Sequence, residues 1–130
     1  MAVSNMLPHG GEASVIFLVA GWKNGAGTQI NNMPPSIRNS EYISDRNSGT
    51  YTVYKDFTAQ VILSQVVAAT SGGNGCKQSF HLNGVKQFEI TGRSPGAVRK
   101  IKFHAGDTFR EEEYNDSNIA CGRSVAIVMM

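Results

Sequence analysis

The residues best suited to metal or proton chemistry are three histidines, His9, His81 and His104, and each stands alone. No His-x-His or His-x-x-x-His pair is present, whereas zinc needs three or four convergent ligands. Solvated strand histidines are therefore expected, and no metal. Glu111, Glu112 and Glu113, with Asp116 and Asn118, offer the oxygen ligands that calcium takes. They show neither EF-hand spacing nor an Asp-x-Asp-x-Asp run, and adjacent glutamates on a strand point to opposite faces. Neither a calcium cage nor the paired carboxylates of glycoside hydrolysis is expected there. The serines lack a Gly-x-Ser-x-Gly context. Gly21 to Gly27 has glycines, but no Gly-Lys-Ser/Thr ending and no following helix, so it is not a phosphate loop. The expectation is a chain with no catalytic residue and no cofactor, whose function is binding or assembly.

Cys76 and Cys121 sit in glycine-rich contexts without a Cys-x-x-Cys pair. Two free thiols are the expectation, with a single bridge left open because sequence does not give their separation. No basic leader precedes an apolar stretch within Met1 to Gly11, so synthesis in a reducing cytoplasm is expected. The longest apolar run, Val15 to Ala20, is too short to span a bilayer, and no membrane insertion is expected.

The 130 residues fit one domain, with 41% hydrophobic and 17% charged residues. Fourteen glycines against four prolines, spread between short apolar runs, favour many tight turns and an all-β chain. A net charge of +2 is too small to argue for nucleic acid. The densest basic group, Arg99, Lys100 and Lys102, alternates with apolar residues as the wet face of a strand does, so no nucleic-acid partner is expected.

These chemical candidates need elements to hold them. Residues 1–12 are small and polar and form an arm or linker end, leaving 13–130 as a single head domain. Ala13 to Trp22 makes a buried strand, and Lys23 to Asn39 a long loop. Thr50 to Tyr54 is a strand; Phe57 to Ala69 has some helical spacing, but its valines and isoleucine favour a strand. Asn83-Gly84 marks a hairpin. A two-residue loop pairs Leu82 with Val85 and leaves Phe88 and Ile90 facing away from Phe80. A three-residue loop with Gly84 as its left-handed residue puts all three on one face, and is preferred for that reason. Ala97 to His104 points Ile101 and Phe103 one way and Lys100, Lys102 and His104 the other. Thr108 to Tyr114 resumes a strand with Phe109 inward. The last strand ends in Val125 to Met130, apolar on both faces, so both faces need covering. About eight strands form an antiparallel β-sandwich, jelly-roll-like.

From Thr50 onward, the hairpin at Leu82 to Val85, the Ile101-Lys102-Phe103-His104-Ala105-Gly106-Asp107-Thr108 turn and the apolar closing strand resemble the jelly-roll heads at bacteriophage tail-fibre and baseplate tips. The pattern is similar also to the trimeric heads of the complement and tumour-necrosis-factor type. The resemblance implies a homotrimer, with Val125, Ile127, Val128, Met129 and Met130 near the three-fold axis. It implies other tail proteins as neighbours, a bacterial surface glycan or protein as ligand, and a place in the virion after synthesis in the host cytoplasm. A structural assembly module and a stand-alone lectin-like domain are the alternatives. Specificity in such a head comes from its connections. Trp22, Asn24, Gln29, Asn31, Asn32 and Tyr42, in and beside the Lys23 to Asn39 segment, are the expected ligand-binding residues, with aromatics for stacking and amides for hydrogen bonds. A Trp22 buried in the core or a subunit interface is the alternative for that residue.

Overall fold

Alternating burial sorts the strands of the computed structural model into two facing sheets. It describes residues 14–23, 27–31, 36–37, 41–43, 49–67, 76–115 and 121–130, with only the backbone course given for 14–16, 18–23, 67 and 95. Along the chain run β1 (Ser14–Lys23), β2 (Gly27–Ile30), β3 (Ser36–Ile37), β4 (Thr50–Thr52), β5 (Phe57–Val67), β6 (Cys76–Leu82), β7 (Val85–Thr91), β8 (Ser94–Phe103), β9 (Thr108–Asn115) and β10 (Cys121–Met129). One sheet has the order β2-β9-β6-β7, with β4 pairing β9 beyond the end of β2; the other has the order β3-β1-β10-β5-β8. Every pairing is antiparallel. This is the all-β jelly-roll sandwich expected, without a helix among the described residues.

The interior divides into two halves of different chemistry. Phe17, Tyr51, Phe57, Phe80, Phe103 and Phe109 fill one half, Phe80 stacking on Phe109 with centroids 5.6 Å apart and Phe57 on Phe103 at 4.8 Å. Each such side chain contributes roughly 1.5–3 kcal/mol by leaving water. The other half is polar: Gln65, Gln78, Glu111, Glu113, Asn115 and Arg123 are buried on the inward parity of their strands, beside Cys76 and Cys121.

Four expectations change. Cys76 and Cys121 are bridged, with Cα atoms 6.6 Å apart, so they are not free thiols. β6 starts and β10 starts at the same end of the sandwich, in opposite sheets, and 45 residues of sequence separation concealed that proximity. Second, the Lys23 to Asn39 segment is not one loop, because β2 and β3 lie within it and pair with β9 and β1.

Third, the hairpin uses the two-residue loop: Leu82 pairs with Val85, and Asn83 and Gly84 both have positive φ, 53° and 80°. That is the twist a tight antiparallel turn favours. The register then shifts between Phe80 and His81, so Phe80 faces Phe88. The bulge that brings these rings to one face lies within the strands, not in the loop.

Fourth, β10 is central in its sheet, between β1 and β5, and its two faces differ. Val125 and Ile127 are 1% and 0% exposed inside the sandwich, and cannot line a subunit interface. Ala126 and Val128 have the outward parity, and Met130 is exposed. The proposed arm, residues 1–12, lies outside the described residues.

Candidate functional site

The expected ligand residues do not converge. Trp22 pairs with Gly122, which pairs with Val66 near the disulfide end of β5. Tyr42 packs edge-on against Phe57, 5.7 Å between centroids, at the start of β5. Nine residues of strand, roughly 30 Å, separate those two levels. Asn31 is buried, its Nδ2 donating to Glu111 Oε1 at 2.5 Å, so its amide serves the interior. Gln29 is exposed on β2, and Asn24 and Asn32 lie outside the described residues, as do the connections 68–75 and 116–120.

A site that residue patterns did not reveal lies on the outward face of the β2-β9-β6-β7 sheet. Outward parity on three strands sets Tyr114, Lys77 and Thr91 in one cross-strand row, and Glu112, Ser79 and Glu89 in the next. Thr28 extends the first row and Ile30 the second. Beyond Ser79, His81 stands opposite Arg110 and Lys86. Ser79 is the smallest side chain in the middle of this ring, so the sheet sinks there into a cavity of about 230 Å³. Thr28, Lys77, Ser79, His81, Lys86, Glu89, Glu112 and Tyr114 are among its lining residues.

Two ion pairs and one cation–ring contact flank the cavity. Lys86 Nζ lies 3.4 Å from Glu89 Oε2, and Arg110 Nη2 2.5 Å from Glu112 Oε2. Lys77 Nζ sits 5.7 Å from the centre of the Tyr114 ring. Burial holds His81 below the usual imidazole range, against the opposing pull of Glu112; Arg110 and Lys86 push the same way as burial. A neutral ring is therefore expected at pH 7. Ser79 Oγ lies 3.0 Å from His81 Nε2, and Glu112 Oε1 lies 3.5 Å from that same nitrogen. A charge-relay triad needs serine and carboxylate on different ring nitrogens. Here Nδ1 is buried with no hydrogen-bond partner among the described residues. Serine and carboxylate thus meet the same ring nitrogen, which is not the triad arrangement.

Behind this sheet, the buried polar half ties the two layers together. Arg123 Nη2 donates to Asn115 Oδ1 at 2.6 Å and to the Tyr114 carbonyl at 3.0 Å. Its Nη1 lies 4.0 Å from Glu113 Oε1. Gln78 Nε2 donates to Glu111 Oε2 and, at 2.9 Å, to the Ser124 carbonyl. Burial first, and the Glu113 charge second, push the Glu111 carboxyl up to about 8, against the hydrogen bonds from Asn31 and Gln78 and the charge of Arg123. The signal in the sequence was the parity of β9, which puts Glu111 and Glu113 on the same face as Phe109.

The opposite sheet carries an apolar row on its outward face, bordered by Gln60 and Lys100. Val98, Ile62 and Ala126 stand in one row across β8, β5 and β10. Val98 and Val66 are 55% and 46% exposed. Small residues, Ser64 and Ser124, pair in the adjacent row, leaving room for another surface to approach closely.

The chain matches no family model and no curated protein. It is similar in fold to solved structures of murine APRIL, determined at pH 5.0 and at pH 8.5. The TM-scores are 0.58 and 0.52, each at 14% identity, with 88% of this chain and 99% of that chain covered. A structure of GITRL from bushbaby aligns over 74% of this chain and 84% of that one, with a TM-score of 0.47 at 16% identity. The fold is a jelly roll of the tumour-necrosis-factor type.

Proposed function

We propose that this chain is a non-catalytic binding head that works as a homotrimer, and that it serves at a phage tail tip, attaching the virion to a bacterial surface glycan or protein. The observation that carries the reading is the Val98, Ile62, Ala126 row on the outward face of the β3-β1-β10-β5-β8 sheet. A central strand whose outward parity is Ala126 and Val128 leaves apolar area that another surface must cover. Three copies around one axis cover it in each. The phage assignment rests on the pattern from Leu82 to the closing strand. The Cys76–Cys121 bridge favours a second reading, a secreted cellular binding domain, because disulfides persist in oxidising surroundings. A virion outside its host meets the same condition.

Light scattering at micromolar concentration tests the assembly. A trimer mass is expected, falling to the monomer in Ala126→Glu with its circular dichroism retained. A monomeric parent overturns it. Adsorption of the purified head to intact bacteria tests the attachment. Binding to no bacterial strain in a broad panel, by a confirmed trimer, rejects the phage reading in favour of the secreted one.

A further inference from the structure

We infer that the cavity over Ser79 is a binding site for a single neutral sugar unit. The inference rests on the binding-head reading and names the ligand class and the face that takes it. The geometry narrows the class in three ways. A volume of about 230 Å³ lies below the roughly 300–1,000 Å³ of sites for drug-sized ligands, which suits a single ring. Two ion pairs stand at the rim, Lys86 with Glu89 and Arg110 with Glu112. Lys77 rests over the Tyr114 ring and not on a carboxylate, but the lining sets two lysines, Lys77 and Lys86, against three carboxylates, Glu89, Glu112 and Glu113, which disfavours phosphate and carboxylate ligands, and Arg110 and Arg123 beside two of those acids disfavour an ammonium. What remains is a dense polar set: the Ser79 and Thr28 hydroxyls, which donate and accept, and the Glu89 and Glu112 carboxylates, which accept. A polyhydroxylated ring matches that set on its edge.

The placement also fits the assembly. The cavity opens on the sheet opposite the apolar face, so a trimer joined through Val98, Ile62 and Ala126 leaves three cavities open. Three weak sites presented together gain avidity on a surface carrying many copies of one sugar.

The test is a ¹H–¹⁵N correlation titration of the full chain with glucose, galactose, mannose and N-acetylglucosamine, and with inorganic phosphate as the anionic control. At least one neutral sugar should shift the Ser79, His81, Glu89 and Glu112 amides with a millimolar Kd, and phosphate should not. Ser79→Leu, which fills the floor, should weaken binding at least tenfold. Glu89→Ala, a change at an exposed rim position, should weaken it several-fold if Ser79→Leu does not fold. No shift with any of the neutral sugars, shifts confined to other residues, equal affinity in the variants, or a preference for phosphate each overturns the inference. Light scattering on the same sample keeps the two readings apart: a trimer without sugar binding sinks the cavity alone, and a monomer that binds sugar sinks the trimer alone.

Discussion

Arg123 on β10 and Gln65 on β5 stand opposite each other, and the guanidinium Nε donates to the Gln65 amide oxygen at 2.7 Å inside the sandwich. The same amide donates from Nε2 to the Cys76 carbonyl at 3.0 Å and to the Gly92 carbonyl at 2.6 Å. Gln65 thus links a buried cation in one sheet to the backbone of the other.

Removing that link should be costly. Gln65→Leu keeps the bulk but leaves Arg123 Nε and the Gly92 carbonyl without that partner, while the Cys76 carbonyl keeps the Gly92 N–H. Each orphaned group costs about 1–3 kcal/mol. A urea unfolding curve should show a loss on the order of 3 kcal/mol. An unchanged midpoint means the inter-sheet network does not form in solution.

The bridge between Cys76 and Cys121 closes a long stretch of chain, 45 residues apart in sequence. Thiol titration of the denatured, unreduced protein should count no free thiol, and reduction should lower stability by about 2–4 kcal/mol. Two titratable thiols in protein handled in air would show that the two ends of β6 and β10 do not meet.

Gly84 should tolerate asparagine and reject valine. Its φ is +80°, yet a Cβ there meets no atom within 4 Å, so any cost is in the backbone alone. A β-branched residue in that region costs roughly 1–3 kcal/mol, whereas asparagine visits it readily. Thermal melting of Gly84→Val and Gly84→Asn compares the two, and equal losses would point to a different turn.

Glu111 should make the protein less stable as pH rises. Its carboxyl is raised from 4.5 to about 8, so between those values the folded chain holds a proton that the unfolded chain has released. The folded state then binds more protons, and stability falls with pH across the window, by about 1.4 kcal/mol per unit at most. His81, lowered by burial, works the other way, adding stability as pH rises towards its ordinary value of 6.5. The Glu111 effect is therefore cleanest between pH 6.5 and 8. Glu111→Gln should flatten the urea midpoint over that range, and a slope identical to the parent would assign it to another group.

Much of the fold was legible in the residues. Period-two alternation gave the strands from Thr50 to Met130, because a half-buried strand must show one face to the core and one to water. Asn83-Gly84 announced the tight turn, since few other pairs accept two positive φ values. The parity of Phe109, Glu111 and Glu113 was present as well, but a glutamate on the buried parity is understood only once its partners are known. Those partners come from two other strands, Gln78 on β6 and Arg123 on β10, and from Asn31 just past the end of β2. The short pairs β2 and β3 were hidden in Lys23 to Asn39 because glycine, asparagine and proline carry weak strand signals.

Sequence by itself determined that this is an all-β chain, where most strands lie and which residues of each share a face, for these follow from local sterics and a two-residue period. Tertiary structure alone decided which strands pair and in what order. That ordering bridged Cys76 to Cys121, set Tyr42 and Trp22 at opposite ends of β5, turned Val125 and Ile127 inward, and ringed Ser79 with larger side chains from three strands. Such relations depend on contacts between residues far apart in the chain, and no local pattern encodes them.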